Sequence, residues 1–192
     1  MKTVQKKDVF MFKRVAMVAV LAVSSTTVFA EEISEDKRFS VGIASFATVV
    51  RADAGYGTET DDFSGFAIFG TAAVNDNVGF RLTYADQSNE DDSNLDLTAV
   101  EGSLIAGTGL ATNGFKAYGS VGFFSETLEY SGYDAEFDFS GLMLGGGIGY
   151  NWNPVSLEFW VNVRDASDYE DFGGGGVDVT AVSGGLGLSA RF

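Results

Sequence analysis

Hydrophobic and polar residues alternate one by one along most of the chain after residue 37. Side chains of a β-strand point alternately to its two faces, so this alternation predicts strands with one apolar face. The clearest case is the segment 155–164, in which Val, Leu, Phe, Val and Val at the odd positions alternate with Ser, Glu, Trp, Asn and Arg. No stretch of helical periodicity separates the alternating segments. The pattern therefore predicts an all-β protein.

Eight such segments are present, at residues 38–50, 63–74, 78–85, 95–106, 115–125, 137–150, 155–164 and 177–192. Three of the connections between them are short and rich in turn-forming residues, at 75–77, 107–114 and 151–154. The other four are longer and acidic, at 51–62, 86–94, 126–136 and 165–176. Short turns at one end and four longer acidic loops at the other predict an eight-stranded antiparallel up-and-down transmembrane β-barrel, with periplasmic turns and extracellular loops.

The alternation alone also fits a soluble sandwich, whose apolar faces would meet each other. The residues between the apolar positions favour the membrane barrel, because many are small, as at Gly145, Gly147 and Gly149. Small side chains suit the crowded lumen of a narrow barrel, whereas a solvated face would carry more charges. Aromatic residues near the predicted strand ends are expected to form girdles at the two membrane interfaces. They are Phe39, Phe63, Tyr84, Phe115, Tyr150 and Phe192.

The first thirty residues have the order of a secretory signal peptide. Five Lys and Arg residues precede an apolar run, Val15–Val23, and small residues then lead to Ala30. The run of nine apolar residues is far below the roughly 20 that a membrane-spanning helix needs. We expect cleavage after Ala30, which leaves residues 31–192 as a single barrel domain.

Five charged residues fall on the predicted luminal face. They are Arg81, Glu101, Lys116, Glu158 and Arg164. Buried charges are tolerated when they are paired and hydrogen-bonded. We therefore expect Arg81 and Lys116 to pair with Glu101 or Glu158, as part of a structural polar network that fills the lumen.

Composition excludes several function classes. The net charge is −15, so phosphates would be repelled and nucleic acid is not an expected partner. The chain has no His and no Cys, which removes the commonest general base and the thiolate metal ligands. A Ser without a base is not an activated nucleophile, and we predict no enzymatic activity, catalytic residue or cofactor. Acidic clusters at 90–96 and 168–171 are a weak alternative as calcium ligands, since neither matches a calcium loop.

The last strand carries a pattern of its own. Leu186, Leu188 and Phe192 lie on its apolar face. Together with the signal segment and the eight strands, this ending resembles the small outer-membrane barrels of the OmpX/Ail, OmpA-barrel and opacity types. The resemblance implies that the outer-membrane barrel-assembly machinery recognises the last strand as an insertion signal. It also implies a monomer surrounded by outer-membrane lipids and lipopolysaccharide, with its loops outside a Gram-negative cell.

The function of such a barrel stays open on the sequence. A surface-interaction role through the acidic loops and a structural role in envelope integrity are both compatible with the pattern, with no extracellular ligand identified. Loop aromatics could supply contact area, at Tyr56, Tyr130, Tyr133, Tyr169 and Phe172. A barrel that binds a small hydrophobe, or a narrow porin-like channel, is the alternative. Its only indications are Met143 and Trp160, two large side chains on the luminal face.

Overall fold

The computed structural model describes residues 37–55, 57–131, 135–173 and 177–192. The predicted signal segment, residues 1–30, lies outside the described residues, so its cleavage stays a prediction. The described residues all belong to one compact unit, Glu35–Phe192. The strands are β1 Phe39–Asp53, β2 Thr58–Ala73, β3 Val78–Asn89, β4 Leu95–Thr108, β5 Gly114–Tyr130, β6 Ala135–Asn151, β7 Val155–Arg164 and β8 Asp178–Arg191, and one helix, α1, spans Ser167–Gly173.

Each strand pairs antiparallel with the next, and β8 pairs with β1 to close the barrel. In the closing pair, Ile43 lies opposite Leu188. At the chain end, Phe39 and Phe192 exchange backbone hydrogen bonds of 3.2 and 2.8 Å. Closure leaves no unpaired sheet edge along the shared length of the strands. The predicted fold, an eight-stranded antiparallel up-and-down barrel, is confirmed.

The apolar face of each strand points outward and the mixed face points into the lumen. In β7, Glu158 and Trp160 are 1% and 2% exposed, whereas Leu157 and Phe159 are 42% and 49% exposed. This is the arrangement of a membrane barrel and the reverse of a soluble sandwich. The prediction that Phe63 belongs to an aromatic girdle is wrong, because Phe63 is buried in the lumen. It occupies an odd position of β2, and the odd positions of that strand face inward.

We call the two ends of the barrel the turn end and the loop end. The turn end holds the connections 74–77, 109–113 and 152–154 together with Phe192, and the loop end holds 54–57, 90–94, 131–134 and 165–177. Three of the four predicted long loops are therefore short, and the prediction of four longer loops is wrong for these three. Their acidic residues continue the strands, as where Asp61 pairs with Val50 and Asp62 with Val49. Above the apolar belt both faces of the hairpin meet water, and Asp61 and Asp62 are exposed, so acidity does not stop the ladder there.

The fourth connection keeps its predicted length but contains α1, a helix that the sequence analysis did not predict. Seven residues are too few to show a helical period. Its start is fixed by Asp165, whose Oδ1 accepts hydrogen bonds from the backbone N and the Oγ of Ser167 at 3.1 and 2.7 Å. Strand β7 ends opposite Met143 while β6 continues to Ala135, and α1 packs beside this longer edge of β6. A helix that covers a strand edge protects it from pairing with other chains.

Large rings and glycines share the lumen. Trp160 packs against Phe69 and Phe46, with ring centroids 5.1 and 6.2 Å apart. A Cβ atom at Gly187 would lie 2.5 Å from the ring of Phe69, and one at Gly185 would lie 2.8 Å from the ring of Trp160. The small luminal residues of β8 therefore make room for aromatic rings from neighbouring strands.

Candidate functional site

All five sequence-predicted luminal charges are buried inside the barrel. Their exposed fractions lie between 1% and 6%. They belong to two groups of ion pairs at different heights. The turn-end cluster contains Arg81, Lys116 and Glu158, and the loop-end cluster contains Arg164 and Glu101 together with Glu126.

In the turn-end cluster, one carboxylate serves two cations. Glu158 forms ion pairs with both Arg81 and Lys116. The hydroxyl of Tyr118 accepts a 2.5 Å hydrogen bond from Arg81 Nη1 and donates one of 3.0 Å to Glu158 Oε1. Lys116 Nζ also donates to Ser156 Oγ at 3.2 Å. The structure thus brings Arg81 and Lys116 to Glu158, whereas the ion pair of Glu101 is made with Arg164.

The guanidinium of Arg81 also lies among aromatic rings. Its Cζ is 4.8 Å from the ring centroid of Trp160, 5.2 Å from that of Tyr118 and 5.3 Å from that of Phe69. A cation over a ring face is attracted by the ring quadrupole. Because one carboxylate serves two cations here, these rings provide part of the stabilisation that a second carboxylate would give.

In the loop-end cluster, one cation serves two carboxylates. Arg164 Nη2 donates to Glu101 Oε1 at 2.7 Å, and Nη1 pairs with Glu126. Ser183 Oγ and Asn162 Nδ2 donate to the two oxygens of Glu101 at 2.6 and 3.0 Å. The sequence analysis missed Glu126 because it placed this residue in a loop. Continuing the two-residue period of β5 from Phe124 would have placed Glu126 on the luminal face.

Helix α1 closes the loop end over this cluster. Tyr169 is 7% exposed, and its ring stacks on Phe139 with centroids 4.6 Å apart and lies parallel to Phe124 at 6.3 Å. Its hydroxyl donates to Glu126. Burial and the neighbouring Glu126 carboxylate raise the pKa of Tyr169 above its usual value, so the hydroxyl remains a donor. Tyr169 is therefore part of the interior, and only Phe172, Tyr130 and the undescribed Tyr56 and Tyr133 remain of the predicted loop contacts.

The turn end is closed by the 109–113 connection, which folds into the mouth of the barrel. Leu110 and Ala111 are 6% and 0% exposed. The carboxylate of Asp76 accepts hydrogen bonds of 2.9–3.1 Å from the backbone N of Gly109, Ala111 and Thr112 and from Thr112 Oγ1. Burial alone would raise the pKa of Asp76, but these hydrogen bonds outweigh it and hold that pKa below its ordinary value.

Two further side chains hold the same connection and were not singled out in the sequence. Arg191 Nη2 donates to the carbonyls of Ala111 and Thr112 at 2.5 and 3.1 Å. Asn151 Nδ2 donates to the carbonyls of Gly109 and Thr112 at 2.6 and 3.0 Å. The crevice beside them, lined by Lys116, Ser156 and Arg191 among others, measures about 10 Å³, which is the space of about one water molecule.

The remaining predicted residues can be placed as follows. Leu186 and Leu188 lie on the outer face of β8, Phe192 directly follows that strand, and all three are 54–57% exposed. Met143 and Trp160 are each 2% exposed and packed in the interior. Within the parts of the chain that the structure describes, no three acidic side chains gather as metal ligands, so the calcium alternative gains no support. In those same parts, no helix has the length and apolar character to cross a membrane.

Several solved structures share this architecture, and two of them serve as examples. The Yersinia pestis attachment invasion locus protein, Ail, superposes with a TM-score of 0.54 at 18% identity, over 82% of this chain and 99% of Ail. Neisserial surface protein A superposes with a TM-score of 0.52 at 17% identity, over 84% of this chain and all (100%) of the other. Identities this low show a common fold alone. None of the curated protein sequences matches the chain.

The family assignment comes from the sequence. The family described as "Outer membrane protein beta-barrel domain" matches residues 16–192, which is most of the chain. The closed eight-stranded barrel and its outward apolar face agree with that match. The chain therefore belongs to the outer membrane protein β-barrel domain family, whose place is the outer membrane of Gram-negative bacteria.

Proposed function

We propose that the protein is a non-enzymatic barrel with a closed lumen, which interacts with molecules outside the cell through the acidic hairpins of its loop end. The observation that carries the proposal is the filled lumen. Two ion-pair clusters occupy it, Tyr169 closes one end, and Leu110 and Ala111 close the other. An eight-stranded barrel is just wide enough for side chains to fill. The surface of the barrel outside the membrane is then the part that is free to bind other molecules.

The loop end is acidic on its outer surface. On the β1–β2 hairpin, Glu59, Asp61 and Asp62 are exposed, and a single exposed cation, Arg51, lies across the hairpin opposite Thr60. A predominantly negative surface speeds the encounter with positively charged partners. This charge distribution supports a surface-interaction role.

The luminal carboxylates do not support catalysis. Glu101 and Glu126 are both bound by Arg164, and Glu158 is bound by Arg81 and Lys116. A general acid or base must reach a substrate proton. Carboxylates held by cations inside a filled lumen do not, and this supports a non-enzymatic role.

Further parts of the proposal concern the membrane. We place the turn end in the periplasm and the loop end outside the cell. We infer that the signal segment is cleaved after Ala30, that the barrel is a monomer, and that the assembly machinery reads Leu186, Leu188 and Phe192. The outward apolar belt would contact outer-membrane lipids and lipopolysaccharide. Ile43, Phe66 and Leu144 of this belt are each more than 60% exposed, which supports contact with lipid.

The proposal is tested by two measurements, the ion conductance of the purified protein and the adhesion of cells that carry it. Purified protein in a planar bilayer is expected to give no ion conductance, and steady conductance would favour the alternative of a narrow channel. Cells that carry the triple variant Glu59→Gln, Asp61→Asn, Asp62→Asn are expected to adhere less to immobilised matrix proteins. The control exchanges Asp and Glu at the same three positions and keeps the charge. Unchanged adhesion together with envelope sensitivity after gene deletion would favour the structural role instead.

A further inference from the structure

Two phenyl rings are exposed at the loop end. Phe172 of α1 is 59% exposed and Phe137 of β6 is 39% exposed. Their ring centroids are 4.8 Å apart in an edge arrangement, and Phe172 is also edge-on to the buried Phe139 at 5.7 Å. We call Phe137 and Phe172 the aromatic platform. Most exposed apolar residues of a membrane barrel face lipid, so the height of this platform decides what it meets.

The platform lies above the lipid belt. The outward residues of β6 change from Leu144 and Leu142, which are 64% and 51% exposed, to Ser140, Asp138 and Glu136 towards the loop end. Charged side chains on the lipid face destabilise a barrel. The membrane boundary therefore lies near Ser140. Phe137 lies on the opposite face of β6, in line with the inward-facing Phe139, but beyond that boundary, so the platform meets water at the mouth of the barrel.

The platform is held in place by buried groups. Helix α1 is anchored by Tyr169, which stacks on Phe139 and donates to Glu126. Asp168 of the same helix accepts hydrogen bonds from the backbone N and the Oγ of Ser140, at 2.8 and 3.3 Å. A surface that is already ordered loses little entropy on binding. Two ordered phenyl rings in water are the kind of anchor that interfaces use.

The two elements that carry the platform are rich in exposed carboxylates. Asp168, Glu170 and Asp171 lie on α1 with Phe172, and Glu136 and Asp138 flank Phe137 along β6, on the outward face of that strand. Between Ala117 and Ala190, the sequence contains one basic residue, Arg164, and that residue is buried and paired with Glu101 and Glu126. The apolar rings therefore stand in a negative field that no neighbouring cation of this segment offsets.

We propose that the aromatic platform and the exposed carboxylates of α1 and β6 form a docking surface for an arginine-rich peptide segment of a partner protein. The inference rests on the proposed surface-interaction function and names the partner class for one part of that surface. Guanidinium groups stack on phenyl faces and pair with carboxylates. The carboxylates would attract the segment, and the rings would hold it by close contact, which salt screens much less than the attraction between separated charges.

The test uses the full barrel in a non-ionic detergent and a fluorescein-labelled peptide of alternating arginine and glycine, with binding read as anisotropy. The change Phe172→Ser is expected to weaken binding by about 3- to 30-fold, from the range for cation–π contacts. The matched control is Trp152→Ser at the turn end. Trp152 is 47% exposed and packs against Tyr150 in a tilted arrangement with the same centroid distance of 4.8 Å, and its chain neighbours Asn151 and Asn153 are uncharged. Its change is expected to leave binding unaltered.

The outcomes separate this inference from the proposed function. Heat-modifiable migration on a detergent gel first shows that both variants fold. If Phe172→Ser binds the peptide as tightly as the unchanged protein, and added salt alone abolishes binding, the attraction is unspecific and the inference is overturned. If the peptide does not bind while the acidic hairpin variant still loses adhesion, the partner class is wrong and the surface role stands. If adhesion is also unaffected, both proposals fail.

Discussion

The two luminal clusters pair charges in opposite ratios, since one carboxylate serves two cations at the turn end and one cation serves two carboxylates at the loop end. This difference gives a prediction for Glu158→Gln. Glu158 is the carboxylate paired with both Arg81 and Lys116, which are each 6% exposed. Neutralising it leaves two buried cations without an ion pair. Neutralising Glu101 in the same way leaves Arg164 still paired with Glu126. We therefore expect Glu158→Gln to cost more stability than Glu101→Gln.

The magnitudes follow from burial. Removing one partner of a buried ion pair typically lowers the free energy of unfolding by about 3–5 kcal/mol. Glu158→Gln belongs at this level, because the remaining contacts of Arg81 are Tyr118, Thr71 and aromatic rings. Glu101→Gln loses charge-assisted hydrogen bonds but leaves Arg164 with a counter-ion, which corresponds to about 1–3 kcal/mol. With a urea slope of about 1–3 kcal/mol/M, the difference is measurable as a shift in midpoint.

Urea unfolding in detergent micelles, followed by tryptophan fluorescence, measures both variants. Trp160 lies in the lumen 4.8 Å from the guanidinium carbon of Arg81, so its emission reports on the cluster. The triple variant Arg81→Met, Lys116→Met, Glu158→Met removes all charges of the turn-end cluster and is expected to recover much of the loss. If Glu158→Gln costs no more than Glu101→Gln, the two-to-one pairing is not what stabilises this part of the lumen.

Three further predictions concern the closures and the packing. Asp76→Asn is expected to lower the urea midpoint at pH 7. Because the folded-state pKa of Asp76 is depressed, its contribution to the free energy of unfolding is present above the ordinary pKa near 3.8 and is lost as the pH falls below that value. The midpoints of the variant and the unchanged protein should therefore converge in acid. Gly187→Ala places a Cβ 2.5 Å from a buried phenyl ring and should cost about 1–3 kcal/mol in the same unfolding assay, whereas Gly102→Ala, with no atom within 4 Å, should be nearly neutral. Tyr169→Ala should speed proteolysis of the 165–177 connection, while Tyr169→Phe, which keeps the stacked ring, should do so much less; equal rates would mean that stacking does not hold α1.

The sequence predicted the barrel well because the membrane imposes one rule on every strand. Outward positions meet lipid and inward positions fill a narrow lumen, so the outward Leu157 is apolar and the adjacent, inward Glu158 is charged. The same rule placed all five predicted charges in the lumen. It could not choose their partners, because pairing depends on the stagger between strands. The ion pair of Arg164 with Glu101 joins residues 63 positions apart on strands that are not neighbours.

The features that could not be predicted from the sequence lie outside the lipid belt, where this rule no longer applies. Above the belt, outward residues meet water and are no longer apolar, so the alternation in β2 and β5 fades although the ladder continues. Phe63 and Glu126 were misplaced for this reason. Helix α1 was missed because it is short and is held by Tyr169 and Asp168, contacts that only the closed barrel provides. Asp76 reads as an ordinary turn residue, and its partners are more than 30 positions away.

The distribution of charge separates stability from interaction in this chain. Arg81, Lys116 and Arg164 balance Glu101, Glu126 and Glu158, so the ion-paired groups of the lumen sum to zero although each cluster alone does not. The acidic surplus of the described chain consequently lies outside the lumen, and most of it is at the loop end. The six ion-paired groups need no ions from solvent to compensate them, and Arg191, a further buried cation, is held by backbone carbonyls of the turn end. The exposed carboxylates Glu59, Asp61 and Asp62 of the β1–β2 hairpin are then free to change without unfolding the barrel, so their variants should alter binding at constant stability, and luminal variants should alter stability.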